Sequence, residues 1–137
     1  MADELHIAPL TGRDPRLPTS VYGYLSNPLL QEDLSFLPLA TCFDYAHAPG
    51  SYRAEASWKK VVSQRFGAKT LPHWRVLRSY AMASIAAKKS NRPPRLSAKE
   101  KRHLQGALAY LERSRSQRWA KEFAPWRSAI AKQLGNL

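Results

Sequence analysis

The chain has 137 residues, a formal net charge of +12, 44% hydrophobic residues, and 4 Trp, 6 Tyr and 4 Phe. This length suits one domain with a substantial core and excludes a complete (β/α)8 barrel, which needs roughly 200 residues or more. The apolar and aromatic content excludes wholesale disorder.

The first 35 residues predict a loop, a strand and a helix in that order. Residues 1–20 are rich in proline, glycine and charge, which is typical of a loop. Residues 21–25 (Val-Tyr-Gly-Tyr-Leu) form a short β-branched and aromatic run that predicts a buried strand. Asn27 comes directly before Pro28, as in a helix N-cap followed by proline at the first helical position. We therefore expect a helix from about residue 28 to residue 35.

The middle of the chain predicts two further helices after an ambiguous segment. Residues 37–45 are apolar and fit either a strand or a helix. A helix is predicted over residues 54–66, where Gly67 supplies the stop. Pro72 opens the next helix, whose apolar stripe consists of Trp74, Leu77, Ala81 and Ile85.

The last third of the chain reads as a linker and a basic helical tail. No helix should cross residues 91–95 (Asn-Arg-Pro-Pro-Arg), because a residue before proline is pushed out of the α region. Residues 97–100 (Ser-Ala-Lys-Glu) form a capping box, and Pro125 should kink or restart the final helix. Residues 88–137 carry 13 Lys and Arg against 3 Asp and Glu. The apolar positions of these helices are Leu104, Ala107, Leu108, Leu111, Trp126, Ile130 and Leu134.

Three stretches together resemble glycoside hydrolase family 84, which contains β-N-acetylglucosaminidases and enzymes that remove O-linked GlcNAc from proteins. Residues 9–15 (Pro-Leu-Thr-Gly-Arg-Asp-Pro) are similar to a loop late in that family's catalytic barrel. Residues 23–29 (Gly-Tyr-Leu-Ser-Asn-Pro-Leu) are similar to its strand that ends in an Asn-Pro turn. Residues 44–58 resemble its Asp-Tyr segment and the helix that opens with Glu-x-Ser-Trp. One departure is His47-Ala48, where the family often has Trp-Asn.

The resemblance implies a mainly α fold with one or two short strands: a C-terminal fragment of a (β/α)8 barrel followed by a helical tail. We expect residues 1–90 to be the barrel part, 91–96 the linker and 97–137 the tail. The implied activity is retaining, substrate-assisted release of β-linked N-acetylglucosamine from a glycan or glycoprotein. Three origins of such a fragment stay open: a truncated gene, a split enzyme or a misplaced start. A split enzyme would have a complementary barrel half as its partner, and no cofactor is implied.

No catalytic residue is predicted, because the family's adjacent aspartates lie upstream of anything in this chain. The pairs Asp3-Glu4 and Glu32-Asp33 do not match them, and both are interpreted as solvated surface charge. The isolated chain is therefore expected to be inactive. For Asp44 and Tyr45 a structural role, closing a turn and packing a ring, is favoured over ligand contact.

Asn27 is the one predicted substrate-binding residue. In the family this asparagine helps to hold sugar hydroxyls, and barrel active sites lie at the carboxyl ends of strands. An amide also supplies both donors and an acceptor, which suits a pair of vicinal hydroxyls. The competing interpretation, a helix N-cap, is favoured by the residues alone. The family resemblance reverses that preference for the complete enzyme.

Two other classes of function stay open: a basic helical nucleic-acid-binding module and a helical adaptor for a protein partner. The tail interleaves Trp and Arg, but it carries no helix-turn-helix, zinc-finger or RNA-binding signature. Cys42 has no partner for an internal disulfide, and the four histidines are too scattered for a metal site. No signal peptide or membrane-spanning run is visible. We therefore expect a cytoplasmic chain, although the parent protein of such a fragment is compatible with secretion.

Overall fold

A computed structural model of the chain describes residues 4–23, 25–26, 31–89 and 94–135. All regular structure in these residues is helical, and none of them forms a strand. The chain divides into two compact units. One is Ile7–Thr70, here called the 7–70 unit. The other, here called the basic unit, combines Met1–His6 with Leu71–Leu137.

The 7–70 unit is a helical pair preceded by an extended loop. Its long helices pack against each other, and its core consists mainly of aliphatic side chains around one tryptophan. The helices are α1 (Leu17–Ser20), α2 (Glu32–His47), α3 (Ala54–Phe66) and a 3-10 turn (Ala68–Thr70). The buried apolar residues are Ile7, Leu34, Leu37, Tyr45, Trp58, Val61 and Val62.

Helix α2 joins two segments that the sequence analysis kept apart. The predicted end of a helix at residue 35 is wrong, because α2 continues through Pro38 to His47, and the ambiguous segment is helical. Leu34, Leu37 and Tyr45 share one face of α2 and are buried in the core of this unit. Their burial outweighs the cost of proline inside a helix, about 3 kcal/mol.

The strand predicted over residues 21–25 is absent from the part of this segment that the structure describes. Val21, Tyr22 and Leu25 lie in irregular backbone, and the latter two are fully exposed. A strand needs neighbouring strands to pair its backbone N–H and C=O groups. The described residues contain no neighbouring strand, so the apolar composition of residues 21–25 is not sufficient to form one. Asn27 and residues 28–30 lie outside the described residues.

The described residues of the basic unit form four helices. Helix α4 packs on α5, and α7 packs on both α5 and α6. Trp74, Phe123, Leu104 and Ile130 are almost completely buried between them. The helices are α4 (Leu71–Lys89), α5 (Ala98–Arg113), α6 (Arg118–Glu122) and α7 (Ala124–Gln133).

Local signals set three helix ends as predicted: the end of α3, the start of α5 and the start of α7. Gly67 ends α3 with a φ of 93°, a conformation that favours glycine. The capping box at the start of α5 is confirmed: Ser97 Oγ accepts from the backbone N–H of Glu100 at 3.2 Å, and the Glu100 carboxylate accepts from the backbone N–H of Ser97 at 2.8 Å. The restart at Pro125 is also confirmed, since Phe123 ends α6 and begins α7.

Candidate functional site

Two of the three motif stretches, the loop of residues 9–15 and the segment of residues 44–58, are joined by hydrogen bonds in the 7–70 unit. The Tyr52 hydroxyl donates to the Leu10 carbonyl oxygen at 2.8 Å. The Tyr45 hydroxyl donates to the Asp14 carbonyl oxygen. The backbone N–H of Leu10 donates to Thr41 Oγ1 at 2.9 Å. Both ends of the loop are thus attached to α2 and to the turn that follows it.

The segment that opens α3 is held by two side chains of its Glu-x-Ser-Trp sequence. Ser57 Oγ donates to Asp44 Oδ2 at 2.8 Å, which joins the end of α2 to the start of α3. Trp58 is completely buried, and its indole N–H donates to the Ile7 carbonyl oxygen at 2.7 Å. Ser57 therefore links α3 to α2, and Trp58 links α3 to the N-terminal end of the loop at Ile7.

Tyr45 and Tyr52 form an aromatic contact beneath the loop. Their ring centroids are 5.6 Å apart with an interplanar angle of 77°, an edge-to-face arrangement. Burial raises the pKa of Tyr52, and the nearby Cys42 and Asp44 raise it further, against a hydrogen bond with Thr41 that lowers it. The Tyr52 phenol therefore stays a neutral donor at physiological pH. These contacts agree with the structural role predicted for Asp44 and Tyr45.

A cavity of about 600 Å³ opens beside the loop, within the volume range typical of small-molecule sites. Its polar lining includes the Arg13 side chain and Ser26, the residue directly before Asn27 in the chain. None of the described residues that line it carries a carboxylate. The remaining lining residues are Leu10, Leu17, Gly23, Leu25, Leu39, Cys42, Phe43, Tyr45 and Ala46.

Cys42 has the wrong electrostatics for a nucleophile. Burial raises the pKa of its thiol, and the smaller effect of the Arg13 charge lowers it. The thiol is therefore protonated near neutral pH, whereas a nucleophilic cysteine needs a stabilised thiolate. Its place in the cavity wall is that of a half-buried apolar side chain.

The carboxylates of the 7–70 unit are largely occupied by structural partners. Asp14 is paired with Arg16 at 2.8 Å, and hydrogen bonds from Arg16 lower the pKa of this carboxyl. Asp33 is buried and accepts from Arg65 of α3, whose guanidinium also lies 5.7 Å from the Phe36 ring centroid. The interpretation of Asp33 as solvated charge is therefore wrong, because Arg65 supplies a counter-charge that makes its burial tolerable.

No sequence pattern indicates the roles of Thr41, Tyr52 or the Asp33–Arg65 pair. Tyr52 lies inside a motif stretch, but nothing in its spacing indicates that its hydroxyl reaches Leu10, 42 positions earlier. Thr41 lies inside an apolar run and has no distinguishing pattern. Among the described residues, no group of three or more His, Cys, Asp or Glu is arranged to hold a metal ion.

A family model described as beta-N-acetylglucosaminidase matches residues 1–79. No curated protein and no solved structure matches the chain. Within the described residues, no helix combines the length and the apolar character needed to cross a membrane.

Proposed function

The chain belongs to the β-N-acetylglucosaminidase family, and on that basis we propose that it supplies the late part of the catalytic barrel of a retaining, substrate-assisted glycosidase. The observation that carries this proposal is the family match over residues 1–79, more than half of the chain. The hydrogen bonds from Tyr45 and Tyr52 to the loop of residues 9–15 support it. They give that loop a defined position, as a barrel loop beside a sugar site requires.

In the mechanism that family membership implies, the substrate's own 2-acetamido oxygen attacks the anomeric carbon. One carboxylate orients the acetamido group, and a second protonates the leaving oxygen and then activates water. The carboxylates of Asp14, Asp33 and Asp44 are held by Arg16, Arg65 and Ser57, so we assign neither role to them. We propose that a complementary barrel half supplies both acids.

Asn27 is the residue of this chain that we propose to contact the sugar. It directly follows Ser26, which lines the 600 Å³ cavity, and its amide can both donate to and accept from sugar hydroxyls. The proposed substrate is a glycan or glycoprotein with terminal β-linked N-acetylglucosamine. By itself, the chain is proposed to be inactive.

The activity of the pure chain and of a reconstituted barrel tests this assignment. The 137-residue chain should give no turnover of a chromogenic β-GlcNAc substrate above a buffer blank. Co-expression with the N-terminal barrel half of a β-N-acetylglucosaminidase should give a complex that turns the substrate over. Turnover by the chain alone would overturn the proposed inactivity. A co-purified complex without activity would overturn the proposed barrel role.

Variants of Asn27 in the reconstituted complex separate sugar binding from helix capping. Asn27→Ser keeps the ability to cap a helix but loses the amide, whereas Asn27→Ala loses both. If Asn27 holds the sugar, both variants should lower kcat/KM by about 10-fold, the effect of one or two lost hydrogen bonds. Asn91→Ala, in the predicted linker, is the matched control and should leave kcat/KM unchanged. Full activity of Asn27→Ser would leave only the capping role.

A further inference from the structure

The connection between α5 and α6 in the basic unit concentrates positive charge on an exposed turn. Residues 113–121 read Arg-Ser-Arg-Ser-Gln-Arg-Trp-Ala-Lys and contain no acidic residue. The side chains of Arg113, Arg115, Arg118 and Lys121 belong to exposed residues. We call these nine residues the basic turn.

A column of three aromatic rings adjoins the basic turn. His73 of α4 stacks on Tyr110 of α5, with ring centroids 4.6 Å apart and an interplanar angle of 8°. Tyr110 stacks in turn on Trp119, at 5.6 Å and 26°. All three residues are half-buried, and the fully buried Trp74 lies 5.3 Å behind Trp119. The column is therefore fixed by the core and still reached by solvent.

The column and the basic turn form one surface. Trp119 belongs to the turn, and Tyr110 lies on α5 one helical turn before Arg113. Burial lowers the pKa of His73, and the positive charge of Arg113 lowers it further, which indicates that Arg113 lies near the column. Two acids flank the basic turn in sequence, Glu112 before Arg113 and Glu122 after Lys121. Glu112 is engaged by Arg127 at 3.1 Å and by Arg115 at 3.7 Å.

We propose that the basic turn and the ring column together bind single-stranded nucleic acid. Guanidinium groups offer paired donors that match phosphate oxygens, and three of the four cations here are arginines. His73 and Trp119 cover the faces of Tyr110, so an unpaired base would stack at an end of the column, whereas a duplex keeps its base faces stacked inside. This surface lies wholly in the basic unit, and the proposal does not depend on the glycosidase assignment.

The number of cations sets the expected salt dependence. A single strand releases counterions so that log K falls with log salt with a slope of about −0.7 per phosphate contact. Phosphate contacts from all four cations would give a slope of about −2.8, which is the steepest value that the basic turn can supply, because Arg115 must exchange its ion pair with Glu112 for a phosphate. Removal of two of the four cations should therefore halve the slope.

The test uses the full chain and fluorescein-labelled oligodeoxythymidine, with affinity measured by anisotropy across a salt series. The variant R113Q/R115Q removes two charges from the basic turn. The matched variant K99Q/K101Q removes two charges from the first turn of α5, about 18 Å away along the helix axis. All four residues are exposed, and the Arg115–Glu112 pair is a surface ion pair of small energetic value, so both variants should fold.

We expect R113Q/R115Q to halve the salt slope and to weaken binding at least 10-fold at low salt. We expect K99Q/K101Q to bind with nearly the affinity of the unchanged chain. Tryptophan fluorescence should be quenched by the single strand and not by heparin. An equal loss of affinity for the single strand in the two variants would overturn the proposed site, because net charge alone would then explain binding. Binding of heparin or of duplex DNA as tight as that of the single strand would overturn the assignment to unpaired bases.

Discussion

Replacement of Tyr45 by phenylalanine removes one hydroxyl group and keeps the ring that packs against Tyr52. The lost group is the donor to the Asp14 carbonyl oxygen, one of the hydrogen bonds that hold the loop of residues 9–15 on α2. Tyr52→Phe removes the equivalent donor to Leu10. The two variants thus test the loop attachment with almost no change in apolar packing.

The expected cost is that of one hydrogen bond to a partly buried carbonyl. A neutral hydrogen bond contributes about 0.5–1.5 kcal/mol net, and a carbonyl left without a partner inside protein costs about 1–3 kcal/mol. Asp14 is exposed and Leu10 half-buried, so water can replace the lost donor in part. We therefore expect each variant to lower the free energy of unfolding by about 1 kcal/mol. Because both hydroxyls hold the same loop, the double variant should cost less than the sum.

Urea unfolding followed by far-UV circular dichroism gives the overall stability, and amide hydrogen exchange gives the local response. The amide of Leu10, which donates to Thr41 Oγ1, should lose protection in both variants even if the two units unfold separately. Tyr22→Phe is the matched control, because Tyr22 is fully exposed and its hydroxyl should contribute nothing. Unchanged exchange at Leu10 in Tyr45→Phe and Tyr52→Phe would refute the proposed attachment.

Two further predictions concern α5. Gly106→Ala should raise the free energy of unfolding, measured by thermal denaturation, by about 0.5–1 kcal/mol, because glycine destabilises a helix interior relative to alanine. A Cβ at this position meets nothing within 4 Å, so a lower melting temperature would contradict the described geometry. Ser97→Ala should lower the melting temperature by removal of the cap. The hydrogen bond from Ser97 holds the pKa of Glu100 below its ordinary value of 4.5, so this carboxylate stabilises the fold above pH 4.5 and stops doing so as the pH falls through its lowered pKa. The difference between Ser97→Ala and the unchanged chain should therefore shrink below pH 4.5, and a constant difference would argue against the capping box.

The helices whose ends carry local signals could be predicted from the sequence. Helix α3 has the predicted bounds. Its apolar side chains recur at helical spacing, and Gly67 ends it before the 3-10 turn begins. The start of α5 is set by Ser97 and Glu100, three residues apart. Such signals act within one or two turns and do not require the rest of the chain.

The predictions that failed depended on partners distant in sequence. The run of residues 21–25 has strand-like composition, but strand formation requires neighbouring strands that the described residues do not contain. The prediction of a surface charge at Asp33 fails because its partner, Arg65, is 32 positions later in the chain and no local pattern indicates the pair. Helix α2 passes through Pro38 because the same face continues to be buried beyond it.

The family, the helices with local caps and the concentration of positive charge after residue 87 could all be predicted from residue identities, because each depends on residues at short spacing. Two features required the folded structure. Tyr45 and Tyr52 hold the loop of residues 9–15, and the rings of His73, Tyr110 and Trp119 stack in one column. The hydrogen bonds to the loop join residues 31–42 positions apart. They depend on the packing of the apolar helix faces, which brings those residues together, and no periodic pattern in the sequence indicates them.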